Sequence, residues 1–333
     1  MNYEVKIQPS GQRYALAEHL SILDGALADG LMLKHSCREG TCGSCKGKLL
    51  KGEVDHGDSP LDVLSEQERI EGLVLFCCAR AKSDLVIDAP EVTELRGISI
   101  QQTAARLMSL DKVSHDVAVL RLTLPPDHRF RYLPGQYVQV QLKDGGVRSY
   151  SMATAAPRDN QLELHIRHMP GGLFSSFVFD GLKPRAMLRL EGPYGSFFLR
   201  DTTAPMVFLA SGTGFAPIQA LLEQLREQGN TRPVYLYWGG RRREDLYRHE
   251  QLLQWAAELP WLSYTPVLSD ASEECDWQGA TGFVHQQVLR DFRSLRDFEV
   301  YACGAPIVVD SARRDYTEQL GLPLESFFAD AFV

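Results

Sequence analysis

No apolar run in this chain approaches the ~20 residues needed to cross a bilayer, so membrane insertion is not expected. Cysteine is scarce, seven in 333 residues, and no secretory signal pattern precedes them, which argues against a disulfide framework. Only one Cys-x-x-Cys occurs, whereas a structural zinc site usually presents two close pairs. Basic charge is in deficit: 35 Lys and Arg face 43 Asp and Glu, a net charge of −8. That balance excludes nucleic-acid binding as the main task, because phosphate recognition needs a basic footprint.

What is present fits a cytosolic globular enzyme. Apolar residues make up 44% and charged residues 23%, and the length suits two or three domains with substantial cores. The acidity is uneven, with net −5 over residues 1–92 and net −3 over the remainder. An acidic N-terminal domain is either a solvated face or a surface that steers towards a basic partner.

The cysteines themselves are the strongest signal. Cys37, Cys42 and Cys45, followed by Cys77 or Cys78, carry the C-x4-C-x2-C…C spacing that holds two irons bridged by two sulfides. Gly40 and Gly43 lie inside the loop, where they allow the tight wrap and let peptide N–H groups approach the sulfurs. The segment resembles the plant-type ferredoxins. Laying their pattern on Val74-Leu75-Phe76-Cys77 and on Ser83-Asp84-Leu85-Val86-Ile87 implies that Cys77 is the fourth ligand, with Cys78 packed as a small apolar residue.

Residues 1–92 read as a small β-grasp unit with a short helix around 22–31, another near 66–70, and a closing strand at 85–87. Residues 93–102 read as a linker, the whole stretch 89–97 lacking sustained periodicity. From 103 to 202 the apolar residues alternate, with Val138, Val140 and Leu142 opposite Gln139 and Gln141, and Leu162, Leu164 and Ile166 opposite Glu163, His165 and Arg167. Turn-formers separate these runs, as in an antiparallel barrel. From 203 to 333 the pattern changes to continuous apolar strands alternating with helices, a parallel α/β unit. The fold class expected is therefore multidomain α+β.

Strand 205–210 leads into Gly212-Thr213-Gly214 and then a helix with Ile218, Leu221, Leu222 and Leu225 on one face. Small residues admit a ligand to the backbone there, and helix-terminal N–H groups face its phosphates. The full G-x-G-x-x-G pattern is missing, because Pro217 holds its last position, so this turn is a weak signal alone. In the barrel, Arg148-Ser149-Tyr150-Ser151 offers a guanidinium for pyrophosphate and a ring for an isoalloxazine face.

That Arg-x-Tyr-Ser run is similar to the flavin signature of the ferredoxin-NADP reductase superfamily. Gly171-Gly172-Leu173-Phe174-Ser175-Ser176, Gly212-Thr213-Gly214-Phe215-Ala216-Pro217, Ala302-Cys303-Gly304-Ala305-Pro306 and the tail from Glu325 to Phe332 extend the likeness over essentially the whole chain. The order of ferredoxin, flavin and nicotinamide segments resembles the single-chain iron-sulfur flavoprotein reductases that feed oxygenases. Gly52-Glu53-Val54-Asp55, Thr281-Gly282-Phe283-Val284-His285-Gln286 and Phe328-Ala329-Asp330-Ala331-Phe332-Val333 look most like the CDP-6-deoxy-glucoseen reductase family, which supplies electrons to a deoxysugar dehydratase.

The resemblance implies FAD, with Arg148, Tyr150 and Ser151 on its ring and ribityl end. His165, Ile166 and Arg167 would line it, and Gly172, Ser175 and Ser176 would contact its pyrophosphate. It implies Gly212, Thr213 and Gly214 on the nicotinamide dinucleotide, with Cys303 and Gly304 beside the nicotinamide. Glu325 is the implied carboxylate near the flavin, and Phe332 is preferred over Phe327 and Phe328 as its aromatic shield. NADH is favoured as donor, although Arg241, Arg242 and Arg243 leave NADPH open.

The activity expected is transfer from NAD(P)H through FAD and a 2Fe-2S cluster to a separate oxygenase, of Rieske or diiron type, or to a deoxysugar dehydratase. FAD matches a two-electron donor to a one-electron acceptor, and no side chain need serve as nucleophile or general base. The competing reading is a stand-alone flavin or quinone reductase with an accessory cluster. A monomer is expected. Cys275 reads as an exposed loop thiol without a role.

Overall fold

The computed structural model describes residues 2–89, 92–127, 129–155, 160–271 and 276–332. Pro90 and Glu91, Cys275 and Val333 lie outside the described residues. The described residues divide into two compact units, one within residues 2–100 with Tyr194–Ser196, the other within residues 101–193 and 197–332. The second unit holds both the flavin and the nicotinamide segments.

The first unit contains β1 (Asn2–Gln8), β2 (Arg13–Ala17), α1 (Ile22–Ala28), β3 (Lys46–Lys51), β4 (Val54–Asp55), α2 (Glu66–Ile70), β5 (Leu73–Leu75), β6 (Arg80–Ala81) and β7 (Leu85–Asp88). Five of the strands form a mixed sheet in the order β2-β1-β7-β3-β5, with β1 parallel to β7 and antiparallel to β2. Helix α1 starts on Ser21, whose hydroxyl accepts from Asp24 N–H at 3.0 Å, and buries Ile22, Leu23, Ala26 and Leu27. Its first amides are used elsewhere: Ile22 N–H donates to Ala79 O at 2.9 Å and Leu23 N–H to Phe76 O at 2.8 Å. The turn bearing Cys77 is thereby fixed from outside.

Part of the expected linker packs rather than spans. Val92 N–H donates to Met32 O at 2.9 Å, and Leu95, in a short 3-10 turn (Thr93–Leu95), is fully buried.

Helix α2 is only five residues long and depends on its cap. Ser65 and Glu68 form a reciprocal capping box, with Glu68 N–H donating to Ser65 Oγ at 3.3 Å and Ser65 N–H to Glu68 Oε2 at 2.9 Å. Ser65→Ala is expected to cost about 1 kcal/mol locally. Hydrogen exchange of the α2 amides measures this, and unchanged protection would refute it.

The second unit opens with β8 (Gln101–Lys112), β9 (Val117–Thr123), β10 (Tyr137–Gln141), β11 (Val147–Ser151), β12 (Gln161–Arg167), α3 (Leu173–Asp180) and β13 (Met187–Tyr194). The six strands run β11-β10-β13-β8-β9-β12. The alternation of Leu162, Leu164 and Ile166 buries one face of β12, and Val138 and Val140 do the same for β10. A Met152–Leu164 bridge brings the two edges together, so the sheet curls into a barrel.

The remainder is β14 (Met206–Ser211), α4 (Phe215–Glu227), β15 (Val234–Gly240), α5 (His249–Glu258), β16 (Leu262–Leu268), β17 (Ala280–Thr281), α6 (Val284–Asp291), β18 (Glu299–Gly304), α7 (Pro306–Leu320) and β19 (Phe327–Ala331). Its sheet is parallel throughout, in the order β17-β16-β15-β14-β18-β19. The chain switches sides between β14 and β18, which opens the crevice where doubly wound sheets bind ligands. The C-terminal tail, read from sequence only as a motif, is the edge strand β19.

Candidate functional site

The cluster loop lies between α1 and β3. Gly40 and Gly43 both take positive φ, +80° and +69°, a backbone region that side chains with a Cβ rarely adopt. The four expected thiols fall into two pairs. Cys45 Sγ is 3.2 Å from Cys77 Sγ, and the Cys42 thiol lies within hydrogen-bonding reach of Cys37, which draws the Cys37 sulfur down to about 5. Glu39 N–H points at Cys37 Sγ and Ser44 N–H at Cys42 Sγ, each at 3.4 Å. Paired sulfurs with amides aimed at them fit a 2Fe-2S core, which moves single electrons when bound. Cys78 Sγ is 3.7 Å from Cys77 and lies against Gly40.

The flavin signature occupies β11, an edge strand. Arg148 is exposed with its guanidinium donating to Val147 O at 2.7 Å, and the Tyr150 ring lies 5.5 Å from Phe174. Burial lifts the Tyr150 hydroxyl to about 12. Ser151 is buried and donates to Asp330 Oδ2 at 3.3 Å. Gly172 caps α3, whose first-turn N–H groups have no partner within the helix. Ser176 is half-buried there, while the Ser175 hydroxyl turns inwards to Met169 O at 3.2 Å. An exposed guanidinium on β11 and a helix start with no side-chain cap are groups that fit a pyrophosphate, and FAD, when bound, accepts an electron pair and passes electrons on singly.

On β12 the expected cofactor-lining residues diverge. Ile166 is buried in the barrel core. His165 is buried on the β12 face opposite Leu164 and Ile166, its Nδ1 2.8 Å from Tyr247 Oη and its Nε2 3.0 Å from Glu163 Oε1, and burial keeps it below the ordinary imidazole range. Arg167 is exposed and donates to Asp116 Oδ2 at 2.9 Å.

The nicotinamide turn is built from backbone pressed on backbone. Gly212–Gly214 forms a single 3-10 turn between β14 and α4, with Thr213 half-buried at its centre. A Cβ on Gly214 would collide with the Cys303 carbonyl and come within 2.7 Å of Gly304 Cα. Gly304 itself has φ +130°, and a Cβ there would strike Ser211 Oγ. These strand ends form a cradle of bare peptide that a diphosphate fits.

Two expectations change. The Cys303 thiol is 1% exposed and packs in the core, where burial and then the Asp330 carboxylate push it well above its ordinary value. Its carbonyl, rather than its sulfur, abuts Gly214. Glu325 is exposed in the 3-10 turn before β19, and the carboxylate that reaches the flavin signature is Asp330, opposite Cys303 in the β18–β19 register. Of the three phenylalanines, Phe327 is buried and Phe328 stacks on Tyr301 at 4.9 Å. Phe332 is half-buried, its N–H held by Gly304 O at 2.8 Å.

The chain matches the 2Fe-2S iron-sulfur cluster binding domain over residues 5–82, the oxidoreductase FAD-binding domain over 104–199 and the oxidoreductase NAD-binding domain over 208–314. It is 41% identical over 333 residues to a CDP-6-deoxy-L-threo-D-glycero-4-hexulose-3-dehydrase reductase of Yersinia pseudotuberculosis serotype I (strain IP32953), covering 100% of this chain and 99% of that protein. The chain belongs to the single-chain iron-sulfur flavoprotein reductases of the ferredoxin-NADP reductase superfamily. This reductase is also 35% identical over 317 residues to the phenol 2-monooxygenase reductase component DmpP of Pseudomonas sp. (strain CF600), with 94% and 89% covered. Among solved structures it is similar to the Amycolatopsis cytochrome P450 reductase GcoB, with a TM-score of 0.83 and 31% identity over 99% of this chain and 98% of that one. The reductase thus carries a 2Fe-2S cluster, FAD and a nicotinamide cofactor. Among the described residues, no helix is long and apolar enough to cross a membrane.

Proposed function

We propose that this reductase delivers electrons from NADH, one at a time, to a CDP-6-deoxy-hexulose 3-dehydrase. The observation that carries this is the 41% identity maintained across the full length of both chains with a reductase named for that dehydrase. Oxygenase reductases match at 35% and 34%. The chain acts as a monomer in the cytoplasm, in keeping with its ordinary soluble composition.

NADH is favoured because two of the three arginines after β15, Arg242 and Arg243, are already paired with carboxylates. Arg242 Nε lies 3.6 Å from Asp270 and Arg243 3.4 Å from Glu250, so a 2′-phosphate would have to displace carboxylates. Arg148, Tyr150, Ser151, Gly172 and Ser176 hold FAD, and Gly212–Gly214 with Gly304 hold the dinucleotide. Cys37 and Cys42 bind one iron, Cys45 and Cys77 the other, and Phe332 covers the flavin.

Arg148→Ala is expected to weaken FAD binding by about tenfold to a hundredfold, the worth of one charge-assisted hydrogen bond. Absorbance at the flavin band during FAD titration reads this, and undiminished affinity would remove Arg148 from the site. The partner is tested by combining the purified reductase and NADH with the dehydrase or with an oxygenase component. Turnover by the dehydrase supports the proposal, and turnover only with the oxygenase overturns it.

A further inference from the structure

The Gly212–Gly214 turn is backed by three aromatic rings. Trp238, fully buried on β15, donates its indole Nε1–H to Gly212 O at 3.0 Å, and its ring stacks at 4.3 Å on Phe215, the first residue of α4. Tyr247 stands edge-on to both, 5.1 Å from the Trp238 ring and 6.3 Å from that of Phe215. Apolar packing is non-directional, so this wedge alone does not fix where the turn stands relative to the flavin strand.

Direction comes from the polar face of β12, where Glu163 and His165 are both buried. The Tyr247 hydroxyl lies 2.8 Å from His165 Nδ1, and His165 Nε2 lies 3.0 Å from Glu163 Oε1. Glu163 is met as well by Arg121 Nε at 3.1 Å and by Arg248 at 3.3 Å, the residue next to Tyr247 in the chain. Burial would raise the Glu163 carboxyl, but His165, Arg248 and Gln219 outweigh burial and hold it at about 2. An ionised carboxylate only accepts, and burial keeps the imidazole neutral. His165 Nε2 therefore carries the hydrogen, Nδ1 accepts, and the Tyr247 hydroxyl donates. The Glu163 peptide is fixed in turn, its carbonyl accepting from Ala153 N–H at 2.8 Å, two residues past the Arg148–Ser151 signature.

We propose that Tyr247 is a positioning residue for hydride transfer: its hydroxyl on His165 fixes the Gly212–Gly214 turn, and the nicotinamide donor it holds, against the flavin strand. The inference rests on the flavin and nicotinamide reading of the two motifs. Contacts run without a break from Glu163 through His165, Tyr247 and Trp238 to the Gly212 carbonyl. The Tyr247 hydroxyl is the link that one atom's removal breaks, because phenylalanine keeps the ring and its packing on Trp238 and Phe215. Without that bond the wedge stays in place but the turn loses its fixed register on the barrel, and small misplacements at such a site are costly in rate.

Tyr247→Phe in the FAD-loaded enzyme tests this. The limiting rate of anaerobic flavin bleaching by NADH is expected to fall about tenfold, with FAD content and the half-saturating NADH concentration within about twofold of wild type, a loss of alignment rather than of binding. His165→Leu should slow the step similarly, and the double variant should be no slower than His165→Leu alone, since both changes remove one bond. Hydrogen exchange reads the turn without turnover. The amides of residues 212–215 are expected to exchange about tenfold faster in Tyr247→Phe, on a timescale at which β9 stays protected in both proteins. A wild-type bleaching rate in Tyr247→Phe overturns the proposal, even if His165→Leu fails to fold, and so does unchanged exchange at the turn or a loss confined to the half-saturating NADH concentration. No bleaching of the wild type by NADH or NADPH overturns the underlying reading and the proposal with it.

Discussion

Replacing Cys77 by alanine is expected to abolish the 2Fe-2S spectrum and to lower electron delivery to a one-electron protein acceptor by roughly 100-fold, because the flavin loses its single-electron outlet. NADH-driven reduction of ferricyanide at the flavin should stay within about twofold of wild type, since the hydride step does not involve the cluster. The structure separates Cys77 from its neighbour by position. Cys77 Sγ sits 3.2 Å from Cys45 Sγ, while Cys78 turns to Gly40. Cys78→Ala is therefore expected to keep the cluster. Visible absorbance, EPR and paired acceptor assays decide, and a cluster lost with Cys78 but kept without Cys77 would reverse the assignment.

The second large effect belongs to Gly214. A methyl group there meets the Cys303 carbonyl and the Gly304 backbone, neither of which can rotate aside as a side chain can. The β14 turn and the end of β18 must then separate, and displacement of about 1 Å at such a site costs on the order of 100-fold in rate. Gly214→Ala should slow flavin bleaching by NADH by that factor, with FAD content and the cluster spectrum unchanged. A rate within about threefold of wild type would show that the turn does not set the nicotinamide's position.

The cluster loop was legible because its chemistry demands fixed spacing, and a short loop cannot scatter its ligands. The barrel strands were legible because Leu162, Leu164 and Ile166 alternate into the barrel core. Glu325 was misplaced for a physical reason. A carboxylate in a tail shows no period, and only the register of β19 against β18 puts Asp330 beside Ser151. His165 misled similarly, since alternation assigns a face without saying what packs on it, and here Tyr247 and Glu163 do. Cys303 read as a site thiol through its motif, whereas the motif's structural content is the bare backbone at Gly304.

The central claim is a relay from nicotinamide through flavin to cluster, and an anaerobic titration of the purified reductase with NADH, followed by absorbance and EPR together, tests it most directly. The account predicts flavin bleaching followed by the rhombic signal of a reduced 2Fe-2S cluster. Flavin bleaching with no cluster signal would contradict it.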